Sequence, residues 1–176
     1  INMSNLLIVS STKNSNYDLS LEIMDYFKNI HNFDSKVISL EDFDLPLYTP
    51  TLEEQFKQNK SFPDSIEEVK NILNNSSSII WCSPEYNGGI SPILTNTIAW
   101  ISRATEDWRE AFNNKNILIC SSSGGNGKNF IKGFKIQLEY LGSNVMESSI
   151  IKTKKDGLDE LKFKNVLLDF YKKIKS

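Results

Sequence analysis

Apolar positions follow two alternating rhythms along this chain. Residues 5–9 (Asn-Leu-Leu-Ile-Val) form a short, nearly unbroken apolar run, the pattern of a parallel strand buried on both faces. Beyond a polar loop, Leu19, Ile23, Phe27 and Ile30 recur at helical spacing. Residues 36–40 predict a second strand. Asp64, with Glu67 three places on, reads as a capping box opening a helix whose stripe is Ile66, Val69, Ile72 and Leu73. Ser78–Cys82 predicts a third strand, and Pro92 opens a helix carrying Leu94, Ile98 and Ile101. A fourth strand is expected over 116–120. A helix over 129–141, with Phe130, Phe134 and Leu138 on one face, should end at Gly142. Residues 145–151 predict a fifth strand and 158–174 a last helix. The one long irregular stretch is 41–63, a length at which a functional loop is expected.

Strands alternating with helices imply a parallel sheet covered on both faces. Five strands and about five helices match an α/β, flavodoxin-like doubly wound fold with strand order 2-1-3-4-5. In such sheets ligands sit beyond the carboxyl ends of the strands, at the switch point. The loops after strands one, three and four are therefore the candidate site.

Bulk properties narrow the classes. The 176 residues, 39% hydrophobic, suit one domain with one core, taken here as residues 3–176. Ile1 and Asn2, ahead of Met3, are set aside from it. The net charge of −2 with mixed signs gives no nucleic-acid footprint. Lys162, Lys164, Lys172, Lys173 and Lys175 alternate with apolar residues and read as the wet side of a helix. No apolar run approaches the roughly 20 residues that span a bilayer, so no membrane partner is expected. The first residues do not look like a signal peptide. Cys82 and Cys120 form no CxxC or metal-ligand pattern, and His31 is the only histidine, so no metal site is expected. Two isolated cysteines suit buried positions in a cytoplasmic protein.

The first loop offers Ser10, Ser11, Lys13, Ser15, Asn16 and Tyr17 just before a helix. Hydroxyls, an amide, a cation and the helix's free N–H groups together suit a phosphate. A plain polar turn would look similar. The loop lacks the glycines of a dinucleotide fingerprint or P-loop, which argues against a Rossmann dehydrogenase and an NTPase. The second loop is Pro84, Glu85, Tyr86, Asn87, Gly88 and Gly89. Its glycines let the backbone approach a flat ligand. Its N–H groups suit the polar edge of an isoalloxazine ring, with Tyr86 covering a face or edge. The third loop, 121–127, supplies Ser121, Ser122, Gly124 and Gly125.

Ser83-Pro84-Glu85-Tyr86-Asn87-Gly88-Gly89-Ile90-Ser91-Pro92, followed by Leu94, Asn96, Ile98 and Trp100, resembles the signature of the NADPH-dependent FMN reductase family. Members pair a P-E-Y-N-x-x-x-x-P loop with a downstream L-x-N/K-x-I-D-W helix. Ala99 stands where the family's aspartate is common. The family's G-S-x-R-x-x-S-x-N loop is altered: Ser10, Ser11 and Lys13 take the G, S and R positions, and Asn16 and Asp18 the later serine and asparagine. Lysine keeps the charge but not the arginine's bidentate fork. The resemblance implies FMN as cofactor, NADPH or NADH as co-substrate, and a homodimer or homotetramer. Catalysis would need no protein acid or base, since the flavin carries the chemistry. The acceptor would be a small molecule such as a quinone, azo or nitro compound, metal ion or free flavin. A flavodoxin-like electron carrier and a non-catalytic flavin-binding protein are the alternatives.

Overall fold

The computed structural model describes residues 5–176; the first four, and the reading of the chain's start, lie outside it. In chain order the elements are β1 (Leu6–Ser10), α1 (Ser15–His31), β2 (Ser35–Ser39), a 3₁₀ turn (Leu40–Asp42), α2 (Pro50–Gln58) and α3 (Asp64–Asn74). There follow β3 (Ser78–Cys82), a hairpin of β4 (Glu85–Tyr86) and β5 (Gly89–Ile90), α4 (Pro92–Arg103), β6 (Asn116–Ser123) and α5 (Lys128–Tyr140). The chain closes with β7 (Asn144–Val145), β8 (Ile150–Thr153), β9 (Gly157–Leu158) and α6 (Glu160–Lys175).

The main sheet runs β2-β1-β3-β6-β8-β9, with β7 also paired to β6. All these pairings are parallel except that of β9, which returns antiparallel along the edge. The expected doubly wound order is thus present in its central strands. Alternate residues of each central strand enter opposite cores. Leu7, Val9, Ile79, Trp81, Ile117 and Ile119 pack with α3, α4 and α5. Leu6, Ile8, Ile80, Cys82, Leu118 and Cys120 pack with α1 and α6. Burial on both faces is why these strands read as unbroken apolar runs.

Four expectations need correction. The fifth strand is broken into β7 and β8. Two residues separate Ile117 from Cys120 on β6, but four separate their partners Val145 and Ile150, so the extra pair bulges out of register. The stretch 41–63 is not irregular: Thr49 Oγ1 accepts from Leu52 N–H at 3.1 Å, and Pro50 opens α2. Asp64 is not an N-cap. Pro63 takes that position, no side chain caps the helix, and Glu67 pairs forward with Lys70 instead. Ile30 is 63% exposed, so the buried stripe of α1 ends at Phe27.

Gly142 does follow the end of α5, with φ +90°. A methyl group there would collide with Asn113 Oδ1 in a backbone conformation that L side chains avoid. Gly142→Ala is expected to cost about 2 kcal/mol. A lowered midpoint in chemical denaturation checks this, and an unchanged midpoint would contradict it. Among the described residues, no helix is long and apolar enough to cross a membrane.

Candidate functional site

β1, β3 and β6 end side by side, and buried contacts bind their exit loops together. Ser11 N–H donates to Cys82 O at 2.9 Å, and Ser11 Oγ to Ser83 Oγ at 2.9 Å. Ser83 Oγ shares a further 2.9 Å bond with Ser91 Oγ at the start of α4. Across the other side, Asn16 Nδ2 donates to Ser122 O at 2.9 Å while Asn16 Oδ1 accepts from Ser122 N–H at 2.8 Å. Asn16 is fully buried, so both ends of its amide tie the first loop to the third rather than face the mouth.

The first loop is held open by its own side chains. Ser10 Oγ donates to Thr12 O at 2.6 Å, and Thr12 Oγ1 to Asn14 Oδ1 at 2.7 Å. Asn14 Oδ1 also caps α1 through Asn16 N–H. The N–H groups of Thr12, Lys13, Asn14 and Ser15 have no acceptor among the described residues. Ser15 is the exposed first residue of α1, and Tyr17 lies half-buried in its first turn. The Lys13 ammonium pairs with Asp42, whose carboxylate raises the lysine's pKa above its ordinary value.

The second loop is more regular than its glycines suggest. Asn87 (φ 50°) and Gly88 (φ 71°) turn left-handed between β4 and β5, as a two-residue hairpin requires. The Asn-Gly pair is a strong hairpin signal, and here it turns strands of only two residues each. Tyr86 projects from this hairpin, 46% exposed. Pro84 is buried at its base. The Glu85 carboxylate turns away to accept from Phe130 N–H at 2.9 Å, capping α5. Its side chain fixes the hairpin against α5 and is not free at the mouth. Gly89 pairs with Tyr86.

In the third loop, Gly124 and Gly125 border open space on the side where a Cβ would stand. Ser121 is buried and its hydroxyl has no partner among the described residues. Gly127 lies against it, where a Cβ would come within 3.2 Å of Ser121 Oγ.

Two residues of α4 also shape this end of the molecule. Asn96 Nδ2 and Trp100 Nε1 donate to Pro46 O at 3.0 and 2.6 Å, and Asn96 Oδ1 accepts from Tyr48 N–H at 2.7 Å. The segment after β2 is thus pinned to the helix after β5. The remaining candidates stand apart. His31 stacks on Tyr171, with ring centroids 3.9 Å apart. Cys82 and Cys120 are buried neighbours in register, and burial pushes the Cys120 thiol well up. Arg109 lies 4.4 Å over the Trp108 ring. A cavity of about 780 Å³, lined partly by Leu6, Lys36 and Asn71, opens at the opposite end of the strands from these loops. Among the described residues, no group of His, Cys, Asp and Glu could hold a metal ion.

The chain is similar to known proteins in sequence and in fold. An uncharacterized protein of Mycoplasma pneumoniae is 23% identical over 88% of this chain and 89% of its own length. An NADPH:quinone oxidoreductase of Arabidopsis thaliana is 31% identical over 44% of this chain and 38% of its own. FerB, a flavoenzyme NAD(P)H:(acceptor) oxidoreductase from Paracoccus denitrificans, superposes with TM-score 0.74 at 16% identity, covering 98% of this chain and 97% of that one. Residues 3–156 match the NADPH-dependent FMN reductases, and the chain belongs to that family of FMN-using, NAD(P)H-dependent oxidoreductases.

Proposed function

We propose that the three tied loops hold FMN and that the protein reduces a small-molecule acceptor at the expense of NADPH or NADH. The observation that carries this is the row of four unpaired N–H groups, Thr12 to Ser15, at the start of the 17-residue helix α1. A helix N-terminus with free N–H groups is a ready anion site, and it suits the flavin phosphate. Ser10, Ser11, Lys13, Ser15 and Tyr17 surround that end. Tyr86, Asn87, Gly88 and Gly89, set on Pro84, form a wall for the ring. Ser121, Ser122, Gly124 and Gly125 line its pyrimidine side. The fit has independent support in Ser121, whose buried hydroxyl lacks a partner among the described residues. Bound there, FMN would supply two-electron redox chemistry between a nicotinamide hydride donor and the acceptor, while these residues hold its phosphate and ring.

The protein's own groups orient and enclose. Asn16 and Glu85 act one layer back, holding loop to loop and hairpin to helix. The acceptor belongs to the quinones, azo or nitro compounds, metal ions or free flavins; a quinone is the first to test, given the Arabidopsis relative. A homodimer or homotetramer is part of this reading. Leu47, Trp108 and Tyr140 are large exposed apolar groups that a second copy would cover, and sedimentation analysis decides it.

The purified protein is expected to take up added FMN and become yellow. Anaerobic NADPH or NADH should bleach it, and quinone should restore the colour. Protein that takes up no FMN would overturn the reading. Protein that binds FMN but is bleached by neither nucleotide would favour the electron carrier.

A further inference from the structure

We propose that Asp42 sets the strength of the phosphate site by neutralising Lys13, so that the flavin phosphate meets a closed ion pair instead of a free cation. This rests on the placement of the phosphate in the first loop.

The two residues are brought together by the sheet. Ser10 and Ser39 are the last paired residues of β1 and β2. The loop carrying Lys13 and the 3₁₀ turn carrying Asp42 therefore leave the sheet side by side. The turn is firmly seated: Leu40 is fully buried, Ser39 Oγ accepts from Glu41 N–H at 3.3 Å, and Phe43 N–H closes on Leu40 O at 3.3 Å. Asp42 is thus presented to the loop by rigid backbone, and its carboxylate takes the Lys13 ammonium. Lys13 is the one cation among residues 10–18. Glu41 adds a second negative charge close by.

The charge arithmetic makes the sign of every variant definite. The intact pair contributes no net charge near the phosphate. Asp42→Asn leaves a free cation and should strengthen FMN binding. Lys13→Ala leaves a bare carboxylate beside the phosphate and should weaken it. The double variant restores neutrality. One unit charge in a solvent-exposed setting changes affinity by about fivefold.

The test titrates flavin into apoprotein and follows flavin fluorescence, so no turnover is needed. Relative to the unmodified protein, Asp42→Asn should bind FMN about fivefold tighter and Lys13→Ala about fivefold weaker, with the double variant within about twofold. Riboflavin, lacking the phosphate, should move less than about twofold throughout, and the FMN differences should shrink in 1 M salt as screening shortens to about 3 Å. Thermal unfolding of each variant confirms that these surface changes leave the fold intact. If Asp42→Asn binds FMN no tighter, or if the double variant is as weak as Lys13→Ala, then Asp42 does not govern the site and the inference falls alone. If FMN and riboflavin shift together in every variant, the phosphate is not in this loop, and the placement beneath the inference falls as well.

Discussion

Lys115→Met is expected to lower the free energy of unfolding by about 3 kcal/mol, the largest stability loss foreseen for a single side chain here. Lys115 lies just before β6 and is only 7% exposed. Its ammonium donates to the carbonyls of Leu73, Asn74 and Ser76, at 3.2 Å for Asn74 and 2.7 Å for Ser76. These acceptors lie at the end of α3 and just beyond it, and of the three Leu73 O also accepts from Ser76 N–H at 3.1 Å. A cation at a helix C-terminus also meets the negative end of the dipole. Methionine follows a similar path through the core but donates nothing, so buried carbonyls lose their partner.

The loss should depend on pH with a definite sign. Burial lowers the Lys115 pKa to about 8 from its ordinary 10.5, and Glu110 works weakly against that shift. The carbonyl acceptors, which favour the full ammonium, also oppose it. Between those two values the unfolded chain binds a proton that the folded chain does not, so this group makes stability rise with pH across that window. Below pH 8 it is charged in both states and contributes no slope. Urea unfolding at pH 7 and pH 9.5 should therefore show the gap between the native protein and Lys115→Met widening at the higher pH. Equal stability of the two proteins at pH 7 would show that the α3 carbonyls do not depend on this ammonium.

Nothing in the sequence near Lys115 announces this role, and the reason is general. Its partners lie about 40 residues away, at the end of an element whose orientation only the fold decides. What could be read was local and periodic. The apolar runs at Leu6–Ser10, Ser78–Cys82 and the first half of Asn116–Ser123 became the central strands because burial on both faces demands such runs. Pro92 at a helix start and Gly142 past a helix end did what their backbones allow. Other local signals are present but weak. Thr49-Pro50 marks the start of α2, but only Leu52 and Phe56 give that helix an apolar stripe. Asn87-Gly88 marks a hairpin, hidden by strands of two residues each.

The site residues divide along the same line. That the candidate loops lie together followed from topology, because loops after β1, β3 and β6 must meet at the switch point. Their individual roles did not follow. Glu85 and Asn16 both carry groups that hydrogen-bond ligands well, and composition cannot say which way such a group turns. In the structure Glu85 faces the N-terminus of α5 and Asn16 faces Ser122. Lys13, likewise, reads as a free cation until β2 sets Asp42 beside it.

Asn16→Leu is expected to cause the largest loss of flavin affinity, at least about thirtyfold, equivalent to about 2 kcal/mol. The reasoning starts from burial. Leucine repeats asparagine's branched outline of four side-chain heavy atoms, though its methyls are bulkier, so α1 and β6 adjust locally to keep packing against it. The two bonds to Ser122, at 2.9 and 2.8 Å, do not. They join residues 106 positions apart and leave Ser122 N–H and O without partners in a 7% exposed position. Unsatisfied backbone groups in such a place cost about 1–3 kcal/mol each, and the third loop relieves that cost by moving toward water. Movement there would separate the loops proposed to hold the phosphate and the ring. FMN and riboflavin should therefore both weaken, since the ring site and the phosphate site are pulled apart together. That shared loss distinguishes Asn16 from Lys13, whose removal should discriminate between the two flavins. Fluorescence titration with both ligands makes the comparison, and far-ultraviolet circular dichroism confirms retained secondary structure. Unchanged affinity in a folded Asn16→Leu protein would mean that the amide bridge does not hold the site together, and that the loops owe their shape to Ser11, Ser83 and Ser91 alone.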